Sequence, residues 1–352
     1  MKAVIYQTLD NQLEKEWLTL WKKSPYANYT NSPQWLFSVT ETFGYSQYVC
    51  IAIYEKNELV AIGALIKKRK YNTTIYTVEP GDYISGIPFL IDITNKKVVK
   101  AFVQALLSLN VVLLDNVAEE FVEIFKKNTP AMDIIPQAPN YYLSILKDKE
   151  GKVIIENRKE LMRRVRNIEE KFVLRAFDGT MSEGIQTAFK IDNMSHKQSG
   201  GYNTFSTKTT KTFFKNLAKN FQKNMSFNIL YFENTPIAFE IGFIANKTYF
   251  GNQISFLAEY KQYSPGKVLV TRMIEHLASI KINKMDLGSG DAHIKRLIAK
   301  DHRQFYHMII SDKKLLISYI KFRKFIKSYA YTQLKSHANI YSTYRKIKNI
   351  KK

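Results

Sequence analysis

Between Tyr260 and Lys295 the chain reads YKQYSPGKVLVTRMIEHLASIKINKMDLGSGDAHIK. Val268, Leu269, Met273, Ile274 and Leu277 recur at helical spacing, predicting a helix from about Pro265 to Ile280. Proline suits its first turn, where a backbone N–H would have no partner. The pattern then changes to a short strand, Lys284-Met285-Asp286-Leu287, which stops at Gly288-Ser289-Gly290-Asp291. A small-residue turn feeding a helix leaves N–H groups pointing outward, with the positive end of the helix dipole behind them. Such a turn suits a phosphate or pyrophosphate. The competing reading is an ordinary helix that begins with proline.

Upstream, helices are predicted from Leu13 to Lys22 and from Trp35 to Phe43, with Trp17, Trp21, Trp35 and Phe43 as core anchors. Strands follow from Tyr48, joined by a turn at Lys56-Asn57, with further β-prone segments at Ile75–Val78 and Ile84–Ile91. A helix then fits Lys97 to Leu109, and a strand ends at Asp115. The same order recurs later: strand Phe227–Phe232, turn Glu233-Asn234, strand PIAFEIGFIA, strand Tyr249–Phe256, the Pro265 helix, and a strand ending at Asp286. From turn Asn to strand-end Asp is 58 residues in the first copy and 52 in the second. Two similar α/β units in tandem are expected. Between them, Glu156–Phe172 places Leu161, Val165, Ile168 and Phe172 on one helical face with arginines around the rest, predicting one basic linking helix.

Charge sharpens this picture. There are 53 basic and 31 acidic side chains, a net +22, and from Lys313 onward twelve Lys or Arg occur with no Asp or Glu. That concentration attracts nucleic acid, anionic lipid or phosphorylated substrates, unless it reflects only a Lys-rich composition. In the tail, Ile320, Phe322, Phe325, Ile326 and Tyr329 repeat at helical spacing among lysines. Such a basic amphipathic helix can lie on an anionic bilayer or pack on its own domain. A lone Cys50 excludes an internal disulfide framework. With no secretory h-region and no apolar run of about 18 residues, the expected location is cytoplasmic, peripheral on the inner membrane face if the tail binds lipid.

Several segments carry a family likeness: Tyr263-Ser264-Pro265-Gly266 before a helix, Asp286-Leu287-Gly288-Ser289-Gly290-Asp291 with Lys295 after it, NSPQWLFSVTETFG near the start, and Asn157-Arg158-Lys159 with Arg163-Arg164. In order and spacing, over about residues 10 to 312, they resemble the tandem-GNAT group. That group includes the Fem-type peptidoglycan aminoacyl transferases and the cellulose-biosynthesis-type acetyltransferases. The resemblance implies an α/β fold with mixed sheets: a degenerate GNAT-like domain over 1–150, a donor-binding GNAT-like domain over 151–312, and a basic helical tail over 313–352. Two departures stand out. The Gln/Arg-x-x-Gly-x-Gly/Ala loop of simple GNAT enzymes is replaced by Ser-Pro-Gly, and Ile294 stands where the family often has Tyr.

The resemblance further implies an N-acyltransferase in which an amine attacks a thioester directly, with acetyl-CoA or another acyl-CoA as co-substrate. The acceptor implied is an amino sugar or a cell-envelope or polysaccharide precursor. Ser264, Pro265, Gly266, Lys267 and Val268 are the expected donor-binding residues. Asp286, Asp291, Glu240 and Tyr263 are the catalytic candidates, and Lys295, His196 and Arg163 are the candidates for substrate contact. Asp291 can alternatively be a helix N-cap, Tyr263 a packing residue, and Glu240 either a buried base or an exposed side chain. His293, His302 and His307 fit no common ligand spacing, so no metal is expected. Two further readings stay open: aminoacyl-tRNA as donor, as in Fem-type proteins, or a non-enzymatic basic protein binding nucleic acid or membrane.

Overall fold

The computed structural model describes all residues except 71, 84–85, 87, 130–131, 196, 199–202, 324–325 and 327–352. The described residues form two compact units: those of 1–139 with those from Arg303 to Ile326, and those of 140–302. Strands and helices are numbered along the chain.

The first unit holds an eight-stranded sheet in the order β1-β2-β3-β4-β6-β17-β7, with β5 paired to β3. These strands are Lys2–Tyr6 (β1), Tyr48–Glu55 (β2), Glu58–Lys70 (β3), Thr73–Thr77 (β4), Leu90–Ile91 (β5), Val112–Ala118 (β6), Met132–Pro136 (β7) and Phe305–Ile310 (β17). The β2–β3 hairpin turns at Lys56 and Asn57, both with positive φ, matching the right-handed strand twist as a two-residue turn must. Helices α1 (Asn11–Lys23), α2 (Pro33–Phe43), α3 (Lys96–Leu107) and α4 (Glu119–Asn128) belong to this unit. The tryptophans are core anchors with satisfied N–H groups: Trp17 donates to Asn31 O at 3.0 Å and Trp21 to Asn28 O at 2.8 Å. Cys50 is fully buried in β2, and burial pushes its thiol up to about 12, so it is no nucleophile.

The second unit holds a seven-stranded sheet in the order β11-β12-β13-β14-β15-β8-β16. Its strands are Asn140–Ser144 (β8), Phe172–Asp178 (β11), Met225–Phe232 (β12), Thr235–Ala245 (β13), Thr248–Phe256 (β14), Lys284–Ser289 (β15) and Asp301–Arg303 (β16). Two short strands, Leu146–Lys147 (β9) and Val153–Ile154 (β10), pair with each other. The helices are α5 (Arg158–Leu161), α6 (Ser182–Asn193), α7 (Lys208–Phe221), α8 (Pro265–Ser279) and α9 (His293–Ile298). Phe239 and Phe243 pack on Phe205 and Phe221 on one face of the sheet. By the two-residue period of a strand, Glu240 points to the other face, and it is 4% exposed.

The repeat is visible as topology: β2-β3-β4-α3-β6 in one unit and β12-β13-β14-α8-β15 in the other. Each has a parallel last step, Tyr76 and Thr77 on Val112 and Leu113, and Thr248 to Phe250 on Lys284 to Asp286. Two expectations need correction. The units do not divide at residue 150 and end at 312, because β8 pairs with β15 in the second sheet while β17 lies between β6 and β7 in the first. Nor is Glu156–Phe172 one helix. It breaks into α5 and a 3-10 segment, Arg166–Lys171, because Leu161, Met162 and Val165 turn inward while Ile168 takes non-helical dihedrals. Of the predicted tail, residues 314–323 and 326 are helical, Lys313 precedes the helix, and residues 324–325 and 327–352 lie outside the described residues.

Candidate active site

Strand β14 pairs antiparallel with β13 along its length but meets β15 only from Thr248 to Phe250. Past Phe250 and Asp286 the parallel pairing stops. A bulge falls at the same place: Ile241 faces Gln253 while Gly242 faces Gly251, leaving Asn252 as the extra residue. Leu257 N–H donates to Ile237 O at 2.8 Å, so beyond the bulge Ile254 turns its peptide groups toward the open edge. A strand edge without a neighbouring strand can accept an extended ligand as an added strand.

Glycines make this fork possible. A Cβ on Gly251 would lie 3.1 Å from Glu240 Oε1 and 3.3 Å from Asp286 O, and Gly288, at φ 73°, would put one 3.2 Å from Gly251 O. A Cβ on Gly242 would overlap the Tyr249 ring, which crosses that position to reach Glu240. The result is a buried polar cluster. Tyr249 donates its hydroxyl to Glu240 Oε2, and Asn228 Nδ2 contacts Tyr249 Oη at 2.7 Å and Glu240 Oε2 at 3.2 Å. Glu240 Oε1 makes no hydrogen bond of ordinary geometry. Burial pushes the carboxyl up to about 8, against the lowering pull of Tyr249, Asn228 and the Asn252 amide. At neutral pH it is therefore mostly protonated, and it can accept a proton only in the fraction that ionises as pH approaches 8.

At the start of α8, Ser264 takes a left-handed conformation (φ 53°) and caps with no side-chain bond. A Cβ built on Gly266 meets nothing within 4 Å, so the backbone of this turn is approachable. The helix dipole adds partial positive charge there.

Residues 156–296, the segment carrying β11 to α8 and the fork, match the family model of the acetyltransferase (GNAT) domain. That segment is a GNAT acyltransferase domain. The chain's fold is also that of the tandem Fem-type group. It is similar to the crystal structure of FemX at 11% identity and TM-score 0.63, covering 87% of this chain and 97% of that one. It is similar to L-PGS from Bacillus licheniformis at 10% identity and TM-score 0.52, covering 82% and 95%. A conserved protein of unknown function from Bacteroides thetaiotaomicron gives 12% identity and TM-score 0.55, covering 88% and 100%. No curated protein is matched by sequence.

Within this acyltransferase the sequence-predicted residues separate by role. Asp286 is 2% exposed and shapes the fork, accepting from Asn140 Nδ2 at 2.9 Å through Oδ2 and from Gly288 N at 2.9 Å through Oδ1. Asp291 is not the N-cap of α9, a position held by Ala292. Its Oδ1 instead accepts from Tyr141 Oη at 2.8 Å and from Arg296, and these bonds hold its carboxyl below the usual range. Lys295 is not a free surface lysine. Its Nζ donates to Gly288 O at 2.9 Å and Ser289 O at 2.7 Å, and burial lowers it to about 8. It therefore closes the end of β15 with one N–H of three beyond those bonds.

Tyr263 stacks on Phe232 with centroids 5.2 Å apart and meets Phe172 edge-on, a packing position beside the α8 turn. Val268 is fully buried, and its N–H turns to Ser264 O at 3.4 Å, so its side chain is core. Lys267 pairs with Glu160 at 3.4 Å, and Arg163 with the same carboxylate at 3.5 Å while its side chain stays 65% exposed. Arg158 is held by Glu169 at 2.5 Å and Glu275 at 3.3 Å, fastening α5 to α8. His196 lies outside the described residues.

Sequence reasoning missed Tyr249, Asn228 and Lys197. The first two look like ordinary strand residues until register brings them beside Glu240. Lys197 donates to Ile254 O on the open β14 edge at 2.5 Å, and burial lowers its amine. Nothing in its local sequence sets it apart from the other lysines.

Proposed function

We propose that this acyltransferase moves an acyl group from an acyl-CoA-type thioester to an amine on an amino sugar or related envelope precursor. The observation that carries the reading is the fork where β14 leaves β15, with a raised carboxyl beneath it and an approachable helix start at Gly266. The donor's phosphates are assigned to the Ser264–Gly266 turn, and its extended arm to the open edge of β14. The acceptor amine attacks the acyl carbon. A C–N bond forms, the C–S bond breaks, the proton shed by the nitrogen passes to Glu240 in its ionised form, and the thiolate leaves and takes a proton from solvent. Asp291, held ionised, is suited to anchoring a cationic acceptor rather than to accepting a proton.

Aminoacyl-tRNA is the second reading, favoured by the FemX-like fold and the net charge of +22, which suits a phosphate backbone. Incubation with acetyl-CoA or a mixed aminoacyl-tRNA pool, glucosamine as acceptor, and mass detection of the N-acyl product tests both. Product from acetyl-CoA alone supports the first reading and product from the tRNA pool alone the second. Saturation with coenzyme A without any thermal shift would remove the first.

A further inference from the structure

The helical stretch 314–323, continued at Ile326, has two apolar faces rather than one. Ile317 and Ile320 are buried with Ile75, Val111, Leu113 and Ile309 in the core of the first unit. On the opposite side Leu315, Tyr319, Phe322 and Ile326 are 89%, 43%, 60% and 50% exposed. Spacing of four and three residues puts Leu315, Tyr319 and Phe322 on one line along the helix, and Ile326 follows Phe322 at a spacing of four. Scattered exposed apolar residues are ordinary, but a continuous stripe of large ones marks a contact surface.

The charge around the stripe says what it meets. At about 100° per residue, Arg323 falls on one flank, and Lys314 and Lys321 on the other. Lys321 reaches Asp133 at 3.1 Å, which fixes the helix on its unit, while Lys314 and Arg323 are exposed. The sequence from Lys313 onward adds no carboxylate to oppose them. An apolar line with cations on both sides matches the layering of an anionic bilayer, hydrocarbon below and phosphate beside it. A protein partner of ordinary composition offers no such two-sided negative border.

We propose that this face docks the enzyme on an anionic lipid surface, with Leu315, Tyr319, Phe322 and Ile326 entering the acyl boundary. The inference builds on the envelope-precursor reading but does not require its donor or acceptor. No helix among the described residues is long and apolar enough to cross a membrane, so this contact is peripheral.

The test is co-sedimentation of the full chain with vesicles of phosphatidylcholine alone or mixed equally with phosphatidylglycerol. The wild type should bind the anionic vesicles and weaken with salt. A Leu315→Ser/Phe322→Ser double variant should lose about tenfold or more in partitioning. Its thermal midpoint should be unchanged, since both side chains lie outside the core. In Phe322→Trp, the tryptophan emission should shift to the blue on anionic vesicles only. Equal binding by the double variant would overturn the proposal, as would an unshifted emission from Phe322→Trp on vesicles that bind the protein. So would a dimer in sedimentation velocity that the double variant dissolves, since a second copy would then own the face. Acyl transfer to a soluble acceptor should persist in the double variant, which separates failure of docking from failure of the catalytic reading.

Discussion

Glu240→Gln is the substitution that most directly tests the fork. The amide has the shape of the carboxyl and can still accept from Tyr249 and Asn228 through one oxygen. Only the titration disappears. In the wild type the folded state keeps the proton to about 8, whereas the ordinary value is 4.5. Between those pH values the unfolded chain has lost the proton and the native one has not, so native stability falls as pH rises and levels off above about 8. At 1.36 kcal/mol per pKa unit this is on the order of 4 kcal/mol. At roughly 2–4 °C per kcal/mol, the wild-type Tm should fall about 8–16 °C more than the variant's between pH 5 and 8. In the transfer assay, log kcat/KM should climb with unit slope up to about pH 8 in the wild type. In the variant it should be flat and lower by about 100-fold or more. Parallel Tm curves would refute the buried, protonated carboxyl. A variant that keeps the limb and the rate would refute Glu240 as the base.

Gly266→Glu should fold normally, since its Cβ meets nothing within 4 Å, yet abolish coenzyme A protection. That protection is about 2.7 kcal/mol at 100 times Kd; a surviving shift would move the donor phosphates off this turn. Gly242→Ala puts a methyl against the Tyr249 ring and 2.6 Å from Phe250 O, and should cost about 1–3 kcal/mol by urea denaturation. An unchanged midpoint would mean the ring does not cross there. Asn140→Ala leaves buried Asp286 Oδ2 without that bond and should cost about 1–3 kcal/mol in the same assay. Lys295→Met should leave the acidic limb near pH 8 in place, because that limb is assigned to Glu240; its loss would reassign the titration to the lysine amine.

Local signals account for much of what was legible. Pro265 and the apolar spacing behind it placed α8, which runs Pro265–Ser279, and the Lys56-Asn57 and Glu233-Asn234 turns placed two hairpins. Alternation and turn residues act within a few positions, so they survive in the sequence. The Glu156–Phe172 reading failed because apolar spacing of three and four fits one helix and also two short helical turns with a kink between them. Only packing of Leu161 and Val165 chooses.

The sequence by itself determined two repeated α/β units, the helix start at Ser264-Pro265-Gly266, a strand ending in a glycine turn, and a basic C-terminal region. It named Glu240 and the Asp286–Lys295 segment as candidates without separating base from scaffold. Tertiary structure alone decided that Tyr249 and Asn228 sit on Glu240, that Asp286 holds Gly288 and Asn140, and that Lys295 seals β15. It also decided which tail residues face the core and which face outward. The physical reason is range. Helix and turn preferences are set by neighbours in the chain, whereas strand register, burial and the pKa they impose depend on residues far apart in it, as Asn140 and Asp286 are, 146 positions from each other.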